Sequence, residues 1–257
     1  MLSPLSEIMP IAGIAFCAAL AQGATGFGFA IIALPFLLLV MGSLDAVGLT
    51  IILNLLVSLV LVPGLWRQAP KGPLARLSLG SVLGFPIGLA IFLQASLDWV
   101  RLAVGVIILA FAATLALRRG GNGAPAGGGP AAAPAPPSWV EIPVGLCSGA
   151  MATALAMPGP AVMLYLSARG MAKDPLRACT LCLFTLSYGA ALALQTAAGA
   201  TNGAMWLTAG LAAPATICGA IVGHRLSRRL DETIFRKIIL AILLITGAYT
   251  TGAAILA

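Results

Sequence analysis

Long apolar runs separated by short polar or Gly/Pro-rich breaks dominate this chain. They fall at about 8–41, 44–62, 74–94 and 99–117, and again at about 139–166, 176–198, 204–222 and 234–256. A helix needs about 20 apolar residues to cross a hydrocarbon core of ~30 Å, so runs of this length predict membrane spans. Between the two sets lies a stretch, 120–138, in which 17 of 19 residues are Gly, Pro or Ala. Such a run has no apolar face to bury and predicts a flexible, partly extended linker. It divides the chain into an N-terminal transmembrane repeat (1–119) and a C-terminal one (139–257), with four segments each.

The halves share details. Leu97-Asp98 precedes the fourth segment as Leu230-Asp231 precedes the eighth. The third carries Gly84, Pro86 and Gly88, and the seventh Pro214, Gly219 and Gly223. The opening segment of each half is too long for one crossing. As a straight helix, residues 8–41 would extend about 51 Å at ~1.5 Å per residue. A break is therefore required, and the sequence offers Gln22-Gly23-Ala24-Thr25-Gly26-Phe27-Gly28 in the first half. In the second it offers Met157-Pro158-Gly159-Pro160. Interrupted apolar segments at matching places in two halves point to a transporter's binding site.

Charge placement sets the expected orientation. After the first broken segment there is no Lys or Arg, whereas its counterpart loop holds Arg169, Lys173 and Arg177. The next loop holds Arg67, Lys71 and Arg76, and its counterpart at 199–203 holds none. The third has only Arg101 nearby, against Arg225, Arg228, Arg229, Arg236 and Lys237; Arg118 and Arg119 end the first half, and the last residues are uncharged. Under the positive-inside rule, opposite bias means opposite orientation. The expected fold is an all-α polytopic membrane protein of two inverted repeats. Each is a broken or re-entrant helical segment plus three transmembrane helices, with both termini outside and the linker cytoplasmic. A steeply tilted, kinked single span is the alternative for each broken segment.

Composition agrees. Of 257 residues 60% are hydrophobic and 8% charged, with a mean hydropathy of +1.06. A soluble domain carries about 25% charged residues, so a soluble enzyme, a nucleic-acid binder and a disordered scaffold are excluded. The net charge of +7 is what Lys and Arg in cytoplasmic loops would give. MLSPLSEIMP carries Glu7 and no basic residue, unlike a secretory signal, so the stretch from Ile8 is expected to stay in the mature protein. Cys17, Cys147, Cys179, Cys182 and Cys218 all lie in apolar runs. Cys179 and Cys182 form a CxxC without a second pair or a nearby His, which favours packing over metal or redox chemistry.

The pattern places all seven acidic residues at segment ends or in loops, so no carboxylate is expected in mid-membrane. His224, beside Arg225, is expected to be a solvated loop residue. Without buried Asp, Glu or His there is no acid/base pair, proton relay or metal cluster; an enzyme is disfavoured, and no cofactor or metal is expected. A cation site would also want carboxylates. An anion site needs only oriented donors, and a helix restarted at a break exposes unpaired N–H groups and about half a positive charge. The expected substrate-binding residues are therefore Gln22, Gly23, Thr25, Gly26 and Gly28, with Asn54, from the first half. Met157, Pro158, Gly159, Pro160, Ser187 and Tyr188 come from the second. Ser58, Thr153, Tyr165, Thr185 and Gln195 are further polar neighbours whose plainer role is interhelical or own-backbone bonding. Arg177 either caps or anchors a helix or attracts an anion. Gly80, Gly84 and Gly88 read as a close-packing face. Trp66, Trp99, Trp139 and Trp206, at segment edges, read as interfacial anchors.

QGATGFGFAIIALPFLLL, from Gln22 to Leu39 and including Pro35, resembles the first signature of the sulfite exporter TauE/SafE family, also called toluene sulfonate uptake permeases. GLCSGAMATALAMPGPAVMLYLSARGMAKDPLRA, from Gly145 to Ala178, resembles its second, with Gly159-Pro160 before an apolar run and Arg177 at the next helix. Met157-Pro158 departs from it, standing where further glycines are common. The resemblance covers almost the whole chain. It implies a secondary transporter, in the exporting direction, for small sulfur-containing anions such as sulfite, sulfoacetate or organosulfonates across the bacterial inner membrane. The expected partners are the small anionic substrate and membrane lipids, with a homodimer left open and no nucleic acid. The alternatives are an uptake permease for another small anion or metabolite, and a passive anion channel.

Overall fold

The computed structural model describes residues 4–117 and 137–227. The linker expected at 120–138 and the last segment expected at 234–256 therefore lie almost wholly outside the described residues. Within them the chain is helical, without a strand. The first half has α1 (Pro4–Thr25), α2 (Phe29–Met41), α3 (Asp45–Leu61), α4 (Lys71–Gln94) and α5 (Leu97–Leu117). The second has α6 (Glu141–Leu155), α7 (Gly159–Ala168), α8 (Lys173–Ala197) and α9 (Gly203–Leu226). Among the described residues six helices, α1, α3, α4, α5, α8 and α9, are long and apolar enough to cross a membrane; α2 and α7 are shorter apolar helices. The protein is a polytopic α-helical membrane protein.

Both opening segments break where the sequence requires it. Thr25 ends α1, Gly26 and Gly28 take positive φ of 87° and 107°, and α2 restarts at Phe29. Glycine adopts that backbone without the Cβ penalty. α6 ends through Ala156, the one non-glycine with positive φ among the described residues (54°), and α7 restarts at Gly159 behind Pro158. The second broken segment is a hairpin whose ends return to one face. Glu141, opening α6, accepts hydrogen bonds from Tyr165 (3.2 Å) and Arg169, near and beyond the end of α7. The two legs of the first segment are unequal. At 22 residues α1 would extend about 33 Å, enough to cross a membrane by itself.

Two glycine-lined contacts hold the halves together, and each pairs an opening helix with the helix of the third apolar segment of the other half. α4 lies along α6, and α1 lies along α9. A Cβ on Gly80, Gly84 or Gly88 would overlap the carbonyls of Ile142, Leu146 or Ala150, and one on Gly145 or Gly149 those of Leu77 or Ser81. On the other pair, Gly219 abuts the Phe16 carbonyl, Gly223 that of Leu20, and Gly23 that of Ala220. In lipid, where tail and side chain are equally apolar, such close backbone contact is what drives helix association. The close-packing face read at Gly80, Gly84 and Gly88 is therefore correct. The indices rise together along both pairs, so each pair runs parallel. α3 and α8 pass through the centre, joined where Asn54 Nδ2 donates to Tyr188 Oη at 2.6 Å.

The basic ends gather on one face. Arg76, early in α4, and Arg169, after α7, both pair with Glu141 at the start of α6. The opposite face carries Asp45, which accepts from Asn202 at the start of α9 (3.1 Å), and Arg101, paired with Asp98 at 3.2 Å. The four tryptophans are all 43% exposed or more, as interfacial anchors would be.

Candidate functional site

The two breaks meet. Between them lies a small cavity of about 10 Å³, room for about one water, lined from the first half by Gly28, Ala30, Ile31 and Asn54. The second half contributes Met157, Gly159, Pro160, Phe184 and Tyr188. Asn54 sits mid-way along α3 and Tyr188 well inside α8, so the cavity lies at the depth of the helix middles. Its walls are largely apolar and carry no charged side chain.

What faces this cavity is the start of two helices. The first helical hydrogen bond of α2 runs from Ile32 N to Gly28 O at 3.1 Å, which leaves the preceding N–H groups without helical partners. One of them, Phe29 N–H, donates to Gln22 Oε1 at 3.1 Å; those of Ala30 and Ile31 belong to cavity-lining residues. α7 begins at Gly159, with Pro160 supplying φ but no N–H,. Neither start has a side-chain cap on its N-cap residue. Each N-terminus carries about half a positive charge, so two partial charges and several N–H donors converge on one apolar-walled space.

A polar scaffold fixes this geometry. Tyr188 Oη accepts from Asn54 and donates to Ala156 O at 3.0 Å, pinning the strained residue that ends α6. Ser148 Oγ donates to Pro158 O at 2.8 Å. Thr25 Oγ1 accepts from Phe27 N–H (3.3 Å) and reaches the Phe27 and Ala21 carbonyls, wiring the first turn together. Several buried polar atoms have no protein partner: Gln22 Nε2, Asn54 Oδ1, Ser58 Oγ and Ser187 Oγ. A buried orphan costs about 1–3 kcal/mol, a cost expected where a ligand or water is to be met.

Of the expected site residues, Gly28, Asn54, Met157, Gly159, Pro160 and Tyr188 line the cavity. Gln22, Thr25 and Pro158 shape the breaks behind it. Ser187 is fully buried but does not line it. Gly23 and Gly26 do other work: Gly23 packs on α9, and the Cβ position of Gly26 is filled by the Arg177 stem rather than open to a ligand. Tyr165 faces the basic end, while Thr153 and Thr185 bond to helix carbonyls. Ala30, Ile31 and Phe184 were not anticipated. The first two could have been found as the opening residues of the restarted helix; Phe184 carries no signal distinguishing it from ordinary core.

Two expectations need correction, and a third is refined. Glu141 opens α6, at a segment end as expected, but it is fully buried where no buried acid was expected. It is tolerated because two guanidiniums, Arg76 and Arg169, and the Tyr165 hydroxyl surround it, and losing a partner of such a buried charge is costly. His224 is not a loop residue either: it lies half-buried in the last turn of α9, with Nδ1 at 3.0 Å from Arg177 Nη2. Arg177, 5% exposed, caps a helix other than its own. It donates to the carbonyl of Gly23, in the last turn of α1, and to Ser227 Oγ at 3.3 Å.

A model of the family described as "Sulfite exporter TauE/SafE" matches residues 11–250, nearly the whole chain. No curated protein and no solved structure matches.

Proposed function

We propose that this chain, which belongs to the sulfite exporter TauE/SafE family, is a secondary carrier that exports small sulfur-containing anions such as sulfite or organosulfonates across the bacterial inner membrane. The observation that supports this reading best is the meeting of two helix N-termini, one from each half and neither capped by its own N-cap residue, on a cavity without charged side chains. Such an arrangement suits an oxyanion: N–H groups at α2 and α7 donate to its oxygens, and the Gln22 amide adds a donor. The apolar walls, Ile31, Met157 and Phe184, suit an organic substituent on sulfur. A cavity of about one water is a closed form, so the anion enters only when the breaks move apart.

In this reading the halves are inverted repeats and the shared basic face is cytoplasmic. The crossed pairing of α1 with α9 and α6 with α4, and the convergence of Arg76 with Arg169, support it. Single cysteines at Gln68 and Ser227, in a chain whose native cysteines are replaced, should both resist impermeant thiol reagents added outside intact cells. Labelling of one but not the other would refute it.

Side chains at the cavity give graded predictions. Gln22→Ala and Asn54→Ala should each weaken sulfite or sulfonate binding by about 1–3 kcal/mol, the range for a hydrogen bond to a charged ligand. Calorimetry on purified variants reads this directly; unchanged affinity in both would move the ligand elsewhere. A carrier and a passive channel separate in proteoliposomes. The carrier gives saturable flux and counterflow, and flux that rises without limit and shows no counterflow would favour the channel.

A further inference from the structure

Each break strands carbonyls at the end of the helix it interrupts, and one helix supplies donors to both. Gly23 in α1 and Thr153 in α6 occupy the same place, third from the helix end. In a continuous helix the N–H four residues on would bond to each carbonyl. Here Phe27 N–H turns to Thr25 Oγ1 (3.3 Å), and Met157 N–H to Met151 O (3.1 Å). Both carbonyls are met instead from α8. Arg177, one turn into that helix, donates to Gly23 O, and Gln195 Nε2, in its last turn, donates to Thr153 O at 3.0 Å. The two residues stand about 27 Å apart along α8 at ~1.5 Å per residue, so a single helix reaches both breaks.

Gln195 is fully buried, and its Oε1 has no partner. The amide cannot be reversed, because Oε1 would then face the Thr153 carbonyl, acceptor against acceptor. Oε1 lies toward α3, 3.7 Å from where a Cβ on Gly48 would stand, and Met205 Sδ borders the same space. One carbonyl is thus satisfied while one amide oxygen is stranded away from water, an exchange that adds little stability. What it adds is placement. We propose that Gln195 is a positioning residue for the second break: it fixes the last turn of α6 as Arg177 fixes that of α1, and α8 is the common strut of both breaks. That turn leads through Ala156 to Gly159, which opens α7 at the cavity. Tyr188, further back along α8, holds the Ala156 carbonyl, and Gln195 holds the turn before it. The bearing on transport, that Gln195 keeps the start of α7 aimed at the anion, rests on the carrier reading above; the cap itself does not.

The test reads the caps without transport. Ala154→Cys and Ala24→Cys are made singly in a full-length chain whose native cysteines are replaced. Each position follows a capped carbonyl and is enclosed, at 3% and 6% exposed. Purified protein in lipid nanodiscs meets a small charged thiol reagent on both faces, and an enclosed thiol reacts only through local opening. Gln195→Met keeps the length of the side chain and removes the donor. It should speed labelling at Ala154→Cys roughly tenfold, the scale of one lost buried hydrogen bond, and leave Ala24→Cys within about twofold. Arg177→Met should do the reverse. Thr196→Ala, exposed in the same turn as Gln195, should change neither. If Arg177→Met fails to fold, Gln195→Met decides alone. Equal acceleration at the two sites would mean general loosening, and no acceleration at Ala154→Cys would mean an idle bond; either overturns the proposal. Selective acceleration in a protein that binds neither sulfite nor a sulfonate would uphold the cap and defeat the carrier reading alone.

Discussion

Gly28→Val is expected to abolish binding of sulfite and organosulfonates while the protein still inserts and purifies. Gly28 is the N-cap of α2 and lines the cavity, at φ 107° and with nothing within 4 Å of where a Cβ would stand. The added Cβ therefore meets no protein atom, and the larger side chain takes up space in the cavity that Gly28 lines. Loss of at least about 100-fold in affinity, or about 2.7 kcal/mol, is the expected outcome in calorimetry. A left-handed φ also strains any L-residue by about 1–3 kcal/mol, which thermal unfolding would register separately. Gly42→Ala provides the comparison. It adds a side chain at φ 57° on the far end of α2, again into open space, and should leave binding intact. Full affinity in Gly28→Val would remove the cavity from the mechanism.

Gly84→Leu should prevent the folded protein from accumulating at all. Its Cβ would collide with the Leu146 carbonyl and the Ala150 amide of α6, which are backbone and cannot turn aside. The helices would have to separate along their longest contact, and with them the only glycine-lined seam between α4 and the hairpin that carries the second break. Overpacking costs of about 1–3 kcal/mol apply where side chains can adjust; here the cost should exceed that range. Gly210→Ala, exposed on α9 with nothing nearby, should be tolerated or gain helix propensity of up to about 1 kcal/mol. Monodisperse yield from detergent separates the two, and a normal yield of Gly84→Leu would show that the α4–α6 seam does not hold the halves.

How much of this was legible beforehand follows from the physics of each element. The spans and the two breaks could be read because the bilayer dictates length, and glycines and prolines mark where a helix cannot continue. The six cavity residues foreseen were found for the same reason: they flank the breaks or are polar in an apolar run. Phe184 was invisible, since an apolar residue in an apolar helix looks alike whether it faces lipid, core or ligand. The burial of Glu141, the contacts of His224 and the particular helix that Arg177 caps could not be foreseen, because their partners are remote in sequence. Glu141 meets Arg76 across 65 residues, and Arg177 meets Gly23 across 154. A charge near a segment end is ordinarily solvated, and only the fold shows that these are enclosed.

The central claim is that the anion binds where the N-termini of α2 and α7 converge. The most direct measurement is a structure of the purified protein with selenite, whose selenium scatters anomalously and whose charge and shape follow sulfite. The account predicts one selenium peak between the two breaks, its oxygens about 3 Å from main-chain nitrogens at Ala30 or Ile31 and at Gly159. A peak instead beside Arg76 and Arg169 on the basic face, with the cavity empty, would contradict it.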